Sequence, residues 1–294
     1  MDTINSKRLL ERFEAHLSSS ALAPATVVNY LADLRAFLRW SEGTKQADRS
    51  PLHLGCDDLQ RYCSFLSEEK NHAPTTINRR IQTLRKFYSY ALAEGWISTN
   101  PAENVSLLDE STSQRSRNLT EEDVDRLLDC VQRARPRWGE RDGAILHVFL
   151  GTGLKLSELT DLRVSDVHLD GAQPVLTIGG DAEPLGRTIP LDDNVFGALR
   201  RYLPVRRAAP GVDHLFVNRD GNPLSTRSVQ RLLRYYAQEA HLEGLTTQAL
   251  RYIYARRVFS DCGDLESVTD LLGHRHTATT IRYLRPNEGE PTST

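Results

Sequence analysis

Apolar side chains recur every three or four positions along most of the chain, which is the spacing of one face of an α-helix. In the first hundred residues this spacing marks segments that begin near residues 5, 26, 57 and 76. Gly95 ends the last of these segments, and Asn100-Pro101 closes the region. Because no stretch here alternates apolar and polar residues as a strand does, we predict an entirely helical N-terminal region.

The second half of the chain continues mainly with helices. Thr120 and the three acidic residues that follow it are typical of a capping box at the start of a helix. Further helices are predicted around residues 141 to 150 and 156 to 162. From Val195 to the end we again predict helices, apart from a short stretch at 215 to 217.

Two short runs with strand character interrupt this helical pattern. Val175 to Ile178 and Arg187 to Leu191 flank a turn-rich segment that begins at Gly179. The predicted fold class is therefore mainly α, with one small β-sheet in the C-terminal part.

Residues 106 to 118 separate the two patterned regions. They are polar and aperiodic, which is typical of a linker between domains. A chain of 294 residues is long for a single core and suits two ordinary domains. We therefore predict a helical domain at 1–105 and a mostly helical domain at 119–294.

Composition excludes several classes of protein without selecting a function. Apolar residues make up 39% of the chain and charged residues 26%, as in a globular protein rather than a disordered or fibrous one. The longest apolar stretch, near 144 to 150, is far shorter than the roughly 20 residues that cross a bilayer. The N-terminus also lacks the apolar core of a signal peptide, so we expect a cytoplasmic protein with no membrane partner. The four cysteines have no metal-ligand spacing, and we expect neither a metal nor a cofactor.

Positive charge is clustered rather than general. The chain has 37 Lys and Arg residues against 39 Asp and Glu, so it carries no overall basic field. One cluster lies on the predicted helix from about residue 76 and comprises Arg79, Arg80, Arg85 and Lys86. A second lies on a later predicted helix and comprises Arg227, Arg231 and Arg234. Contact with a DNA backbone is one interpretation of these clusters, and an ordinary solvated surface is the other.

Seven segments, in order along nearly the whole chain, resemble those of the tyrosine recombinases, the family that includes the phage integrases and the Xer proteins. The segments are APATVVNYLADLRAFLRW at 23–40, TTINRRIQTLRKFYSYALAEGWISTNPAE at 75–103, LTEEDVDRLL at 119–128, GTGLKLSEL at 151–159, LFVNRDGNPLS at 215–225, LLGH at 271–274 and TTIRY at 279–283. The N-terminal segments are similar to the core-binding domain of that family.

The resemblance implies two domains that clamp a DNA duplex and a metal-free transesterification at a phosphodiester. In this chemistry a tyrosine attacks the scissile phosphate and stays attached to the 3′ side. A phenol has an ordinary pKa near 10, so the attack needs a base or a strong field. The phosphate oxygens need cationic donors, and the leaving 5′ oxygen needs a general acid. The implied partners are double-stranded DNA and other recombinase protomers.

The family's site residues carry over to this chain only in part. The resemblance assigns the nucleophile to Tyr283, four residues after Thr279. Arg251 matches the second of the family's two arginines, and His274 matches its late histidine. These positions keep the residue types that the chemistry requires.

Three further positions depart from the family. Lys155 stands in place of the first arginine and keeps the charge without the fork that grips two phosphate oxygens. Gln248 replaces the histidine three residues before Arg251, and an amide cannot transfer a proton at neutral pH. The hairpin lysine is absent from 179–181, where the sequence is Gly-Gly-Asp instead of the family's glycine-lysine-glycine.

These departures leave three hypotheses. The chain is a DNA-binding protein of the recombinase type, acting in recombination or integration, in which strand cleavage through Tyr283 is weakened. Alternatively, it is a competent site-specific recombinase that uses Lys155 in place of the arginine. In the third hypothesis it is a helical interaction module that no longer binds DNA, which the two basic clusters disfavour.

Overall fold

The chain divides into two units, 1–113 and 114–294, each with a hydrophobic core of its own. Both units are mainly helical and the second contains a small sheet, which confirms the predicted fold class. The domain boundaries at 105 and 119 stay a prediction, and residues 110–118 of the predicted linker lie outside the described residues. The computed structural model describes residues 6–20, 22–43, 50–109, 119–133, 136–179 and 186–284.

The described part of the first unit contains four α-helices, which begin where the sequence offers helix-start signals. They are α1 (Ser6–Ser18), α2 (Pro24–Glu42), α3 (Cys56–Ser64), which continues as a π-helical turn (Phe65–Glu69), and α4 (Pro74–Ala93). Proline opens both α2 and α4, where its missing N–H removes no hydrogen bond. At the start of α3 the Asp58 carboxylate accepts a hydrogen bond from the Gly55 N–H at 2.9 Å.

One face of each helix forms the core of the first unit. The fully buried side chains include Leu9 and Phe13 of α1, Leu34 and Phe37 of α2, Leu59 of α3, and Ile81 and Phe87 of α4. Burying each of these side chains stabilises the unit by roughly 1.5–3 kcal/mol. The helical spacing of the apolar residues therefore arises from a shared core.

A buried carboxylate ties α2 to α4. Asp33 of α2 is 5% exposed and accepts a hydrogen bond from the Thr83 hydroxyl at 3.1 Å. It also forms ion pairs with Arg79 and, at 3.7 Å, with Arg80. Since an ionised group is tolerated in a core only when it is paired, these arginines help to hold the two helices together.

Arg85 fastens the segment that follows α4 to the helix itself. Its Nε donates to the Ala102 carbonyl at 3.1 Å, and its Nη2 donates to the carbonyls of Glu103 at 3.4 Å and Val105 at 2.8 Å. That segment has no regular secondary structure, so its carbonyls depend on side-chain donors. Arg85 thus has a structural role in the first unit.

We predict that Arg85→Gln lowers the free energy of unfolding by about 1–3 kcal/mol, because several carbonyls lose a charged donor together. Arg35→Gln is the matched control, since Arg35 is exposed on α2, and it should change stability by less than about 0.5 kcal/mol. Urea denaturation followed by circular dichroism measures both. Equal effects of the two substitutions would contradict a structural role for Arg85.

The described part of the second unit contains eight α-helices and a three-stranded sheet. The helices are α5 (Glu121–Gln132), α6 (Pro136–Thr152), α7 (Leu156–Asp161), α8 (Asp193–Tyr202), α9 (Thr226–Glu239), α10 (Thr247–Cys262), α11 (Leu265–Leu272) and α12 (Thr277–Leu284). The capping box predicted at Thr120 is confirmed. Its hydroxyl accepts from the Asp123 N–H at 3.3 Å, and the Asp123 carboxylate accepts from the Thr120 N–H at 2.9 Å.

The sheet is antiparallel, with strand order β1-β2-β3. The strands are β1 (Val167–His168), β2 (Val175–Ile178) and β3 (Arg187–Pro190). Leu176 pairs with Val167 on one side and with Ile189 on the other. The two strands predicted from the sequence are confirmed, whereas β1 was missed because two residues cannot show an alternating pattern.

The interruption predicted at 215 to 217 is longer than the sequence indicated. Residues 206–225 contain turns and isolated bridges between α8 and α9. Pro210, Gly211 and Pro223 explain the difference, because proline and glycine disfavour continued helix. Arg206 compensates in part by donating to the carbonyls of Val212 and His214, at 3.0 Å and 2.5 Å.

The centre of the second unit is α6, whose side chains from 144 to 150 are buried on nearly every side. A helix that is apolar all round belongs in a core, so α6 serves as the support for the surrounding helices. In the part of the chain that the structure describes, no helix combines the length and apolar character needed to cross a bilayer.

Candidate active site

Side chains from separate elements of the second unit meet in one polar site. Lys155 stands immediately before α7, and Arg187 begins β3. The first turns of α10 carry Gln248 and Arg251. His274 lies in the short loop between α11 and α12, and Tyr283 lies near the end of α12. Below, Lys155, Arg187 and Arg251 are called the cation cluster.

Arg251 is the most buried member of the cation cluster, with a relative exposure of 2%. Its Nη1 donates to the Gly153 carbonyl, and its Nη2 donates to the Leu272 carbonyl at 2.6 Å. The same Nη2 lies 3.0 Å from Nε2 of His274. Its buried Nε has no hydrogen-bond partner among the described residues. Arg251 therefore joins the turn before α7 to the end of α11.

Glu158 is the anion that holds the cation cluster together. Both of its carboxylate oxygens accept from Arg187, at 3.0 Å and 3.1 Å. Nζ of Lys155 lies 3.5 Å away and the Arg251 guanidinium 3.9 Å away. Burial opposes ionisation of Glu158, but the hydrogen bonds from Arg187 and from the Lys155 N–H outweigh it and lower the pKa of the carboxyl.

His274 is held as a neutral imidazole. Burial lowers its pKa, and the positive charges of the cation cluster lower it further, to about 4. Because an arginine can only donate, Nε2 of His274 accepts from Arg251, and the ring proton is on Nδ1, 2.9 Å from the Thr280 hydroxyl. A neutral imidazole in this tautomer cannot act as a general acid at its Nε2.

Tyr283 packs over the site and is partly exposed. Its ring makes edge contacts with His274 and Tyr252, with centroids 4.9 Å and 4.3 Å apart. Cζ of Arg251 lies 5.8 Å from the ring centroid. The phenolic oxygen accepts a hydrogen bond from Nε2 of Gln248 at 2.6 Å. The donor that reaches the phenol is thus an uncharged amide.

Two glycines give the site its close backbone approaches. Gly153 has φ +60, and a Cβ there would lie 2.3 Å from the Tyr254 ring. Gly273 has φ +64 and ends α11, and a Cβ there would lie 2.6 Å from Nη1 of Arg187. Both positions favour glycine, because other residues rarely adopt a positive φ and because a Cβ would lie too close to the neighbouring side chain.

Comparison with known proteins identifies the family. The profile of the phage integrase family matches residues 117–290, and the profile of the phage integrase N-terminal SAM-like domain matches residues 9–98. The chain belongs to the phage integrase family of tyrosine recombinases. It is therefore a tyrosine site-specific recombinase that acts in DNA recombination.

Individual relatives agree with this assignment. The chain is 32% identical to the tyrosine recombinase XerC of Herpetosiphon aurantiacus, over 93% of this chain and 89% of that protein. It is 30% identical to the tyrosine recombinase XerD of Listeria monocytogenes, over 89% of this chain and 88% of that protein.

Solved structures share the fold at low sequence identity. The Tn1549 transposon integrase in complex with a circular intermediate DNA has a TM-score of 0.76 at 18% identity, covering 96% of each chain. A lambda integrase dimer bound to a COC′ core site also has a TM-score of 0.76, at 19% identity and covering 98% of each chain.

The structure of this recombinase brings together the site residues that the sequence suggested. Lys155, Gln248, Arg251, His274 and Tyr283 are linked by the contacts described above. Their catalytic roles stay a prediction. Of the hairpin segment at 179–181, residues 180 and 181 lie outside the described residues. Among the described residues no group of His, Cys, Asp and Glu side chains could hold a metal ion.

The basic residues predicted to contact DNA differ in their surroundings. On α4, Arg79 is exposed but paired with Asp33, and Arg80 and Arg85 are half-buried in the contacts described for the first unit. Nζ of Lys86 lies 5.9 Å from the Tyr30 ring centroid. On α9, Arg227, Arg231 and Arg234 are all exposed. The α9 cluster is therefore the freer of the two, and DNA contact by either stays a prediction.

Sequence reasoning assigned no role to three residues of the site. Glu158 lies within the GTGLKLSEL segment, where its position three residues after Lys155 was the available signal. Arg187 is the first residue of a predicted strand, and Thr280 lies within TTIRY. Their importance depends on contacts between distant segments, which local spacing does not reveal.

We predict that an NMR titration of the ring nitrogens of His274 has a midpoint near pH 4, because burial and the cation cluster disfavour its charged form. Neutral His274 therefore stabilises the fold fully above about pH 6.5, and that stability is lost as the pH falls toward 4. A midpoint near 6.5 would show that neither burial nor the cation cluster lowers the pKa of this imidazole.

Proposed function

We propose that this recombinase binds double-stranded DNA and holds a phosphodiester at the cation cluster, but cleaves the strand through Tyr283 slowly. The observation that carries the proposal is the hydrogen bond donated by Gln248 to the phenolic oxygen of Tyr283. The reaction requires a proton to leave this oxygen, and the amide at this position cannot remove it. The protein would then act in recombination or integration beside other protomers or a partner recombinase of the same mobile element.

The positive charge of the site supports phosphate binding. The Lys155 side chain is 50% exposed, and among the described residues its ammonium is paired with Glu158, which leaves donors for a phosphate oxygen. The compact ammonium cannot form the bidentate grip of an arginine, so it stabilises the transition state less well. Charge is therefore retained at Lys155 while geometric precision is reduced.

Proton transfer is the weaker part of the site. Gln248 has no titratable proton, and His274 is neutral with its Nε2 lone pair directed at Arg251. The Lys155 ammonium is paired with Glu158, with Nζ 3.5 Å from the carboxylate. The absence of one general acid typically costs about 10²–10⁴-fold in rate. This reasoning favours slow cleavage over none.

The exposed face of α9 supports DNA binding. Arg227, Arg231 and Arg234 recur at helical spacing, and their guanidinium groups suit phosphate oxygens. The similar transposon and lambda integrases were solved in complex with DNA. A helical module without DNA binding would have no need of this exposed arginine row.

A second candidate function is efficient cleavage with Lys155 in place of the arginine. The exposed position of Lys155 at the edge of the cation cluster favours it, since its ammonium can reach a bound phosphate. The two candidates differ in the fraction of bound DNA that becomes covalently attached to Tyr283.

We predict that sheared DNA from the source organism yields an enriched sequence motif when captured with the protein and washed gently. After a denaturing detergent wash we expect recovery to fall by about a hundredfold, since few complexes are covalent. The remainder should vanish in Tyr283→Phe. Full survival of the wild-type complex in detergent would establish efficient cleavage instead, and the lack of any motif would favour the module without specific DNA binding.

We predict that Lys155→Arg raises the cleavage rate on the captured site by at least about tenfold, because the fork restores a second phosphate hydrogen bond. Lys155→Met is the matched control, since it keeps the length of the side chain but removes the charge, and it should lower the rate. Gel analysis of the covalent complex measures both. An unchanged rate in Lys155→Arg would remove Lys155 from the phosphate site.

We predict that the double substitution Arg227→Gln and Arg231→Gln reduces the magnitude of the negative slope of log K against log salt by about two, because two phosphate contacts are lost. Arg200→Gln on α8 is the matched control, and it should leave the slope unchanged. Fluorescence anisotropy with labelled duplex at several salt concentrations gives the slopes. Equal slopes for all variants would place the DNA on another surface.

A further inference from the structure

The two ring nitrogens of His274 have partners of opposite character. Nε2 lies 3.0 Å from Nη2 of Arg251, and a guanidinium has only donors, so Nε2 is the acceptor. Nδ1 then carries the proton of the neutral ring and donates to the Thr280 hydroxyl at 2.9 Å. The tautomer of His274 is fixed by these two contacts together.

The hydrogen bond to Thr280 is continued by a second threonine. The Thr280 hydroxyl also lies 2.8 Å from the Thr269 hydroxyl, which in turn lies 2.8 Å from the Leu265 carbonyl. Each hydroxyl has one hydrogen, and the carbonyl at the end can only accept. The one hydrogen of the Thr269 hydroxyl is directed to the Leu265 carbonyl or to the Thr280 hydroxyl, so the Thr280 oxygen accepts from Thr269 as it does from Nδ1 of His274.

The hydroxyls of Thr280 and Thr269 are buried close to the nucleophile. Thr280 has 0% exposure and Thr269 has 6%. Replacing a hydroxyl lost here with water therefore costs free energy, because the site is buried. Thr280 lies three residues before Tyr283 on α12, and both side chains contact His274. One helix thus fixes both the imidazole and the phenol.

We propose that Thr280 is a positioning residue for strand cleavage, because its hydroxyl fixes His274 in the tautomer and orientation that support Arg251 and the Tyr283 ring. The proposal rests on the proposed function, in which Arg251 holds the phosphate and Tyr283 attacks it. Without the Thr280 acceptor, no other group among the described residues is hydrogen-bonded to Nδ1 of the ring. The other tautomer would point an Nε2–H at the Arg251 guanidinium, donor against donor.

The test compares Thr280→Val, which keeps the shape but removes the hydroxyl, with Thr280→Ser, which keeps the hydroxyl. Thr279→Val is the matched control, since Thr279 is the neighbouring threonine and is exposed. Nitrogen-15 NMR of the histidine rings at pH 7, without DNA, reports the tautomer of His274. Cleavage of the captured site is measured for the same proteins, and their folding by circular dichroism.

We expect the Nδ1–H tautomer to dominate in wild type, Thr280→Ser and Thr279→Val and to be lost in Thr280→Val. Cleavage by Thr280→Val should be slower by about tenfold or more, because the phosphate-binding geometry is disturbed. An unchanged tautomer in Thr280→Val would overturn the proposal, as would an equal loss of cleavage in Thr279→Val.

Two further measurements keep the result interpretable. If Thr280→Val does not fold, Thr280→Ala removes the same hydroxyl from a smaller side chain, and an unchanged His274 tautomer balance in that variant overturns the proposal. If wild type forms no Tyr283 adduct, the proposed function fails, and the NMR comparison still decides whether Thr280 sets the tautomer of His274.

Discussion

Burying a guanidinium costs free energy unless its donors are satisfied, and Arg251 is 2% exposed. Its partners are the Gly153 carbonyl and the carbonyl of Leu272 at the end of α11. Arg187 binds the preceding carbonyl, that of Leu271, at 2.8 Å. Two cations therefore satisfy the last carbonyls of α11, where positive charge also suits the helix dipole. The turn before α7, β3 and the loop carrying His274 are thus held at one place by the same electrostatic requirement.

A phosphoryl-transfer site usually combines positive charge with proton transfer, and the requirement to satisfy buried charge affects these two properties differently. Positive charge is retained, because Lys155, Arg187 and Arg251 also stabilise the fold around Glu158. We propose that proton transfer is weakened here, since the amide of Gln248 has no titratable proton. Burial, together with the same cations, lowers the pKa of His274 and keeps it neutral, which suits it to accept a hydrogen bond rather than to donate a proton. We therefore propose a recombinase that binds phosphate well and transfers protons poorly.

The sequence allowed prediction wherever local spacing determines structure. The helices and the capping box at Thr120 follow from periodicity and helix-start signals. The residues of the site were found through motif segments, because each stands at a fixed distance from recognisable neighbours. What could not be predicted depends on contacts between segments, such as Glu158 with Arg187 and Arg85 with the carbonyls after α4. The sequence of an amphipathic basic helix predicts where its charges lie, but it does not show which groups those charges bind.

Our proposal is that proton transfer at this site limits cleavage, and donation to the leaving 5′ oxygen is the transfer that a modified substrate can bypass. The most direct test compares the single-turnover cleavage rate of the captured site with that of the same site carrying sulfur at the scissile 5′ bridging position. A thiolate leaves without a general acid, so we expect the sulfur substrate to react about a hundredfold faster or more. Equal rates on the two substrates would contradict the account and would show that this site donates the proton effectively.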